Sequence, residues 1–331
     1  MTLLKRIVWR TFIALAISWA VSSIAWLLTV SLPGDVVDVV VGPQASPADL
    51  ERARALYGAD KPLASRYWAY ERRLLHGASS SLPHDHCAEL PLGLHTNLGF
   101  SFTYNQPIAK LIEKKLPRSF DLAVVAILIQ LTVSLSLGIL AALKRDTRTD
   151  DAIVGGVTAL SAAPTFVIGL LLQMLLAHRL GWLPIDGAGA SPSLFTWHIV
   201  LPALTLGLYG VGLVTRLVRA EVIQASTRPF VMAARARGGS RAYVFVRHAL
   251  RHAIAPIGEL GILELGALVS GAIVTEKLFR WPGIGDLAVT AIQNRDAELV
   301  MALTLVGAIV MCVATAGADI IRLILDPRAR G

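Results

Sequence analysis

Long apolar stretches alternate with shorter polar ones along most of the chain, and the apolar stretches carry almost no charge. A helix needs about 20 apolar residues, at about 1.5 Å each, to cross about 30 Å of hydrocarbon. Six stretches are close to that length or longer: residues 11–34, 122–143, 152–177, 199–215, 253–275 and 299–318. The pattern therefore predicts six membrane-spanning helices, called spans one to six below.

The composition agrees with an integral membrane protein. Of 331 residues, 54% are hydrophobic and only 16% are charged, whereas charged residues make up about a quarter of a soluble protein. Within the six spans the only acids are Glu259 and Glu264, both in span five. The net charge of +8 is concentrated beside the spans, which favours contact with lipid and a role in topology over binding of nucleic acid.

The positions of lysine and arginine predict the orientation. Basic residues are frequent before span one, between spans two and three, between spans four and five, and after span six. Short loops rich in lysine and arginine stay in the cytoplasm, so both termini are predicted to be cytoplasmic. Span one is longer than the apolar core of a secretory signal and ends in "LPGD" without an Ala-x-Ala cleavage site, so we expect it to be retained.

Residues 35–118, between spans one and two, are then predicted to lie outside the membrane on the exterior side. Two stretches in this segment have helix-start residues and helical spacing, "SPADLERARALYG" (46–58) and "KPLASRYWAYERRLLHG" (61–77). Residues 78–96 are rich in Ser, Pro and Gly, and we interpret them as a loop. That loop is expected to be a polar surface. The alternative is a zinc or nickel site built from His84, His86, Cys87 and His95.

The cytoplasmic segment 216–252 contains an unusual basic stretch, "FVMAARARGGSRAYVFVRHALRHAIAP" (230–256). A helix is predicted from Pro229 to a stop at Gly238 and Gly239, and a second helical stretch follows. Basic helices of this kind can lie against anionic lipid headgroups. The spacing of "MAARARG" (232–238), nine residues and "HALR" (248–251) indicates a more specific role.

This spacing resembles the ATPase-docking loop of permease subunits in bacterial ATP-binding-cassette (ABC) importers. The chain is most similar to the first permease subunit of the branch that imports dipeptides, oligopeptides and nickel. The resemblance extends along the chain through "LPGD" (32–35), "NLGFSF" (97–102), "AAPTFVIGLLL" (162–172) and "EKLFRWPGIGDL" (276–287). It implies that the following residues contact the ATPase: Ala233, Ala234, Arg235, Arg237, Gly238, Gly239, Ser240 and Arg241.

The resemblance also implies an architecture and a set of partners. We expect an all-α membrane protein with the six-span fold of type I ABC importers, divided into residues 1–34, an exterior segment 35–118 and a five-span core 119–331. The expected partners are a second permease subunit, two ATPases, an exterior solute-binding protein and the lipid of the bacterial inner membrane. The sequence has no "GxxxxGK[ST]" phosphate loop. We therefore predict a transport subunit without enzyme activity or cofactor of its own, with ATP and Mg²⁺ bound by the partner ATPases.

Glu264 lies about halfway along span five and Glu259 lies near its cytoplasmic end. A charged group at mid-membrane is costly unless it is paired, protonated or exposed to water. Glu264 is therefore predicted to face either the translocation pathway or the second permease. The rival function is an ion-coupled secondary transporter that uses Glu259 and Glu264 as coupling groups. We expect an importer of peptides instead.

Overall fold

A computed structural model describes residues 3–31, 61–77, 88–90, 94–189, 196–238 and 251–325. In that part of the chain the structure is almost entirely helical. The helices in chain order are α1 (Leu3–Ser31), α2 (Leu63–Leu74), α3 (Ile108–Leu143), α4 (Arg148–Ala162), α5 (Thr165–Leu172), α6 (Val200–Ser226), α7 (Pro229–Ala236), α8 (Arg251–Gly271), α9 (Ile273–Leu278), α10 (Ile284–Gln293) and α11 (Ala297–Leu325). A π-helix, Gln173–Arg179, continues α5.

Five of the described helices, α1, α3, α6, α8 and α11, are long and apolar enough to cross a membrane. They overlap predicted spans one, two, four, five and six, although α1 ends at Ser31 and α8 at Gly271, before the predicted ends of spans one and five. A sixth span results if α4 and α5 with its π-helical extension, which are bent by 100° at a short break, count as one. The predicted all-helical membrane fold is confirmed, and the six-span count holds with this broken pair as span three.

The prediction of one uninterrupted helix over residues 152–177 is wrong. Helix α4 ends at Ala162, Ala163 has an extended backbone (ψ 136°), and α5 begins after Pro164. Proline has no N–H for the helical hydrogen bond, and its ring disfavours the helical conformation of the residue before it. Because the residues on both sides of the break are apolar, the hydropathy pattern did not reveal the interruption.

The chain divides into two compact units, and neither is a continuous stretch. The first comprises Met1–Arg6, Arg118–Asp286 and Val310–Gly331. Its core includes a cluster in which Trp281, Leu122 and Ala203 are fully buried. The Trp281 indole N–H donates to the Arg118 carbonyl at 2.9 Å. The turn after α9 is thereby attached to the start of the membrane-spanning part of α3.

The second unit comprises Ile7–Pro117 and Leu287–Ile309. In it α2 packs on α1, since Tyr70 lies in an apolar cluster with Ala25 and Met301. The Ser22 hydroxyl donates to the Tyr70 phenol oxygen at 3.1 Å. On the opposite side of α2, Trp68 is 58% exposed.

The predicted loop 78–96 contains regular structure. The strands in chain order are β1 (His76–Gly77), β2 (Ala88–Leu90), β3 (Leu94–Thr96), β4 (Phe100–Ser101) and β5 (Gln106–Pro107). In an antiparallel sheet of order β1-β3-β2, His95 pairs with His76 on one side and with Glu89 on the other. Short strands of two or three residues have no hydrophobic alternation that a sequence pattern could reveal. The predicted helix 46–58 lies outside the described residues.

Candidate functional site: the coupling segment and the polar groups beside it

The predicted docking helix is present as α7, directly after span four. Helix α6 ends at Ser226, and two residues connect it to Pro229, the first residue of α7. Proline suits this position because the first N–H of a helix has no internal partner. Val231 is 1% exposed whereas its neighbour Met232 is 58% exposed. One face of α7 is thus held by the chain itself, and the other faces outward.

Helix α7 ends where the sequence predicted. Gly238 has a φ of +86°, in the left-handed region that favours glycine, and a Cβ there would meet no atom of the described residues within 4 Å. Ala233 and Arg237 are exposed, and the Arg237 Nε donates to the Ala233 carbonyl at 3.3 Å. Helix α7 is therefore followed by an exposed basic side chain, that of Arg237.

The other predicted coupling residues are only partly covered by the structure. Ala234 and Arg235 belong to α7. Gly239, Ser240 and Arg241 lie outside the described residues, as does most of the second predicted helical stretch. The structure therefore describes the first half of the predicted docking loop, up to its glycine.

Glu264 is not isolated in span five. Its carboxylate accepts a hydrogen bond from the Gln130 amide on α3, and Gln130 is 2% exposed. A Cβ on Gly210 of α6 would come within 2.4 Å of that amide. Glycine at this position therefore lets α6 approach the polar pair closely. Glu264 itself is half-buried.

Glu259 has a different environment, near the C-terminal end of α11. Its carboxylate lies 3.8 Å from the guanidinium of Arg322, and both side chains are partly exposed. Exposed pairs of this kind contribute about 0–1 kcal/mol to stability. The two acids that the sequence grouped together are thus distinct: one hydrogen-bonded to an amide, the other in a loose ion pair.

Glu276, which follows span five in helix α9, is the most enclosed carboxylate of the described residues, with no exposed surface. It accepts hydrogen bonds from the Ser119 hydroxyl at 2.6 Å and the Asp286 amide at 3.1 Å. Ser119 in turn accepts from the Ile284 amide at 2.8 Å. A Cβ on Gly283 would lie 2.4 Å from the carboxylate. The residues of "EKLFRWPGIGD" (276–286) therefore enclose the carboxylate of Glu276.

Burial raises the pKa of Glu276 above the ordinary glutamate value, although the hydrogen bonds from Ser119, Asp286 and Gly285 act in the opposite direction. The nearest ion pair, Lys277 with Asp286 at 3.3 Å, is more exposed. The enclosed carboxylate thus has donors around it but no basic side chain paired with it among those contacts.

A fourth polar contact joins α4 to α6. The Asp150 carboxylate receives two hydrogen bonds from the Arg219 guanidinium, at 2.6 Å from Nε and 2.5 Å from Nη2. Asp150 is 2% exposed. Sequence reasoning counted Arg219 only among the basic residues that assign the orientation, and so gave it no partner. Gln130 and Glu276 were missed as well, although the "EKLF" motif contains Glu276.

The metal alternative gains no support from the described residues, in which no group of three His, Cys, Asp or Glu side chains could hold a metal ion. His95 lies opposite His76, with ring centroids 6.0 Å apart and nearly parallel. The His76 Nδ1 is also within 3.1 Å of the Arg73 carbonyl. The other candidates, His84, His86 and Cys87, lie outside the described residues.

Residues 134–331 match the family described as "Binding-protein-dependent transport system inner membrane component", and residues 3–123 match its N-terminal domain. The glutathione transport system permease protein GsiC of Escherichia coli (strain K12) is 28% identical over 311 residues, which cover 94% of each chain. The oligopeptide transport system permease protein AppB of Bacillus subtilis (strain 168) is 27% identical over 328 residues, covering 97% of this chain and 98% of the relative. With a membrane fold of five or six spans and a family match over more than half its length, the chain belongs to the inner membrane components of binding-protein-dependent transport systems and is the permease subunit of an ABC importer.

Proposed function

We propose that this permease subunit imports peptides and forms half of the translocation pathway, together with a second permease subunit. In this proposal two cytoplasmic ATPases bind ATP and Mg²⁺, and an exterior solute-binding protein delivers the substrate. Relatives named for oligopeptide and glutathione transport support a peptide substrate. The observation that carries the coupling role is α7, which begins two residues after α6 and ends beside Gly238, a glycine with a left-handed backbone.

We further propose that both termini and segment 216–252 are cytoplasmic, that residues 35–118 form the exterior part and that residues 119–331 form the core. This topology requires α4 and α5 with its π-helical extension to cross the membrane together. If they entered and left on the same side, the N-terminus and α7 would lie on opposite sides. Basic residues in the first turns of α1 and in and directly after α7 favour the cytoplasm for both.

The mechanism follows from these positions. ATP binding closes the ATPases on each other, and that motion displaces the docked α7. The displacement is passed into α6 and changes the pathway from cytoplasm-facing to exterior-facing, which is a rigid-body transition between two packed states. The ion-coupled alternative has no support, because the family to which the chain belongs is one of binding-protein-dependent transport systems.

The function is tested with the complete complex in liposomes. Uptake of a labelled dipeptide should require ATP and the binding protein and should be unchanged when proton and sodium gradients are collapsed. Uptake driven by an ion gradient without ATP would overturn the proposal.

Glu264 is proposed to line the pathway and to favour substrates with a positive group, such as a peptide amino terminus or a basic side chain. In the Glu264→Gln variant the side chain keeps its size and can still bond to Gln130, so assembly should be preserved. We expect uptake of a lysine-containing dipeptide to fall about fivefold, a modest coupling free energy, and uptake of a blocked, neutral peptide to change less. The measurement is initial uptake rate for each peptide.

The matched control is Glu259→Gln, which removes a carboxylate from the same helix but breaks only the loose pair with Arg322. It should affect both peptides alike. Equal losses for charged and neutral peptides in Glu264→Gln would contradict the pathway role and leave Glu264 as a packing residue between helices.

A further inference from the structure

The first arm of the broken span, α4, is attached along its length to residues 209–219 of α6. Besides the Asp150 to Arg219 contact, the Ser161 hydroxyl donates to the Tyr209 carbonyl at 3.3 Å. Between these points a Cβ on Gly212 would lie 2.6 Å from the Val157 carbonyl, so the two backbones are in close contact. These contacts make α4 and this part of α6 one packed pair.

Asp150 is the strongest of these attachments. Its two oxygens receive the parallel N–H groups of one guanidinium, a geometry that fixes orientation as well as distance. One oxygen also accepts the Asp146 amide at 3.1 Å, and Asp150 lies in the first turn of α4, where the helix dipole favours an anion. The start of α4 is therefore locked to one position on α6.

Arg219 is also close to the coupling segment. It lies about two helical turns before Ser226, the last residue of α6. The Arg228 amide donates to the Ala225 carbonyl of α6 at 3.2 Å, and the Arg228 carbonyl accepts from the Val231 amide of α7 at 3.0 Å, so Arg228 links the two helices. Because the connection has only two residues and Val231 is buried, a displacement of α7 must also move the end of α6 that holds Asp150.

The break at Ala163 and Pro164 divides these contacts into two sets. Beyond it, α5 contacts α9 as well as α6: a Cβ on Gly169 would lie 2.5 Å from the Leu278 side chain and 3.3 Å from Thr205, which is one turn before Tyr209 on α6. Because Pro164 interrupts the helical hydrogen bonds, α4 can tilt with the C-terminal end of α6 while α5 stays packed against α9 and the start of α6.

We propose that the Asp150 to Arg219 ion pair is a positioning contact that carries the motion of the coupling segment into α4, with the Ala163–Pro164 break as the hinge. The inference rests on the proposed coupling function of α7. Neither residue touches substrate or nucleotide in this scheme. Their role is to make α4 follow α6, so that the cytoplasmic end of span three moves when the ATPases close.

The test is the Asp150→Asn variant in the complete reconstituted complex, with ATP hydrolysis and peptide uptake measured on the same vesicles. Asparagine keeps the size of aspartate and can accept one hydrogen bond, so folding should survive. We expect the number of ATP molecules hydrolysed per peptide imported to rise about tenfold, within the usual range of coupling between sites, while the hydrolysis rate stays within about twofold. Asp150→Glu should restore most of the coupling.

Asp151→Asn is the matched control, since Asp151 is the next residue in the same helical turn and is exposed. It should couple like the unmodified protein. If Asp150→Asn does not assemble, Arg219→Lys replaces it, because lysine keeps the charge but cannot make both bonds. Unchanged coupling in the assembled variant, or hydrolysis and uptake that fall in proportion, overturns the inference. Failure of the unmodified complex to couple ATP to uptake would instead overturn the proposed function.

Discussion

Replacing Gly238 by aspartate is expected to abolish ATP-driven uptake while leaving the subunit in the membrane and the ATPases active. Gly238 has a φ of +86°, and none of the described residues has an atom within 4 Å of an added Cβ, so an added side chain is expected to collide with a docked partner rather than with the described part of this chain. A carboxylate would also change the charge of a basic surface. We expect uptake to fall about a hundredfold, near the upper end of typical coupling between sites. Uptake and hydrolysis should be measured in the same vesicles.

The chain offers a matched control in Gly181, which has a φ of +64° and likewise no atom within 4 Å of an added Cβ. Gly181→Asp imposes similar backbone strain in the loop after span three, on the side predicted to be exterior. It should leave coupling unchanged. Normal uptake by Gly238→Asp, or an equal loss in both variants, would show that docking at Gly238 is not responsible.

Truncating Glu276 to alanine is expected to destabilise the folded subunit more than any other single change considered. The variant would leave buried donors on Ser119, Gly285 and Asp286 without their acceptor, and each buried unsatisfied group costs about 1–3 kcal/mol. A cavity adds to this cost. We expect a loss of at least about 3 kcal/mol, seen as a much lower yield of monodisperse complex in detergent and a lower melting temperature.

The pH dependence of stability distinguishes the effect of burying the ionisable carboxyl group of Glu276 from the effect of packing alone. Because the pKa of Glu276 is raised in the folded state, folding favours its protonated form. The stability it contributes is greatest below the unfolded value of about 4.3 and declines as pH rises through the higher folded value. The melting temperature of the unmodified complex, relative to that of Glu276→Gln, should therefore fall as pH increases from about 4.3.

The neighbouring residue provides the control for this measurement. Lys277 forms an ion pair with Asp286 that is far more exposed, so Lys277→Gln should change stability by less than about 1 kcal/mol. A melting temperature of Glu276→Ala within the range of Lys277→Gln would contradict the structural role assigned to Glu276.

Some features were predictable because they depend on local pattern. The long apolar runs and the basic residues beside them identified the spans, since hydrocarbon thickness imposes a minimum length on any such helix. Pro229 and Gly238 marked the start and end of α7, because the first and last turns of a helix have their own backbone requirements. The stretch 61–77, with its helix-start residues and helical spacing, likewise yielded α2, Leu63–Leu74.

Other features were visible in the sequence but could be interpreted only with the structure. Pro164 was read as part of a continuous span, since proline is tolerated in membrane helices when neighbours satisfy the freed groups. Only packing determined that the helix bends by 100° at this point, with α5 against α9 and α4 against α6. The short strands near His95 depend in the same way on pairing between residues distant in sequence.

The sequence by itself determined that this chain is a multi-span permease and where most of its membrane helices lie, and it predicted a segment that couples to a partner, because hydrophobic length, charge placement and helix boundaries are properties of neighbouring residues. The tertiary structure decided which polar groups share an environment: Glu264 with Gln130, Glu276 with Ser119, and Asp150 with Arg219. These partners are separated by 134, 157 and 69 positions, and no local pattern relates them. Burial of a polar group is costly without a partner, so it is the packing of distant helices that gives each of these residues its role.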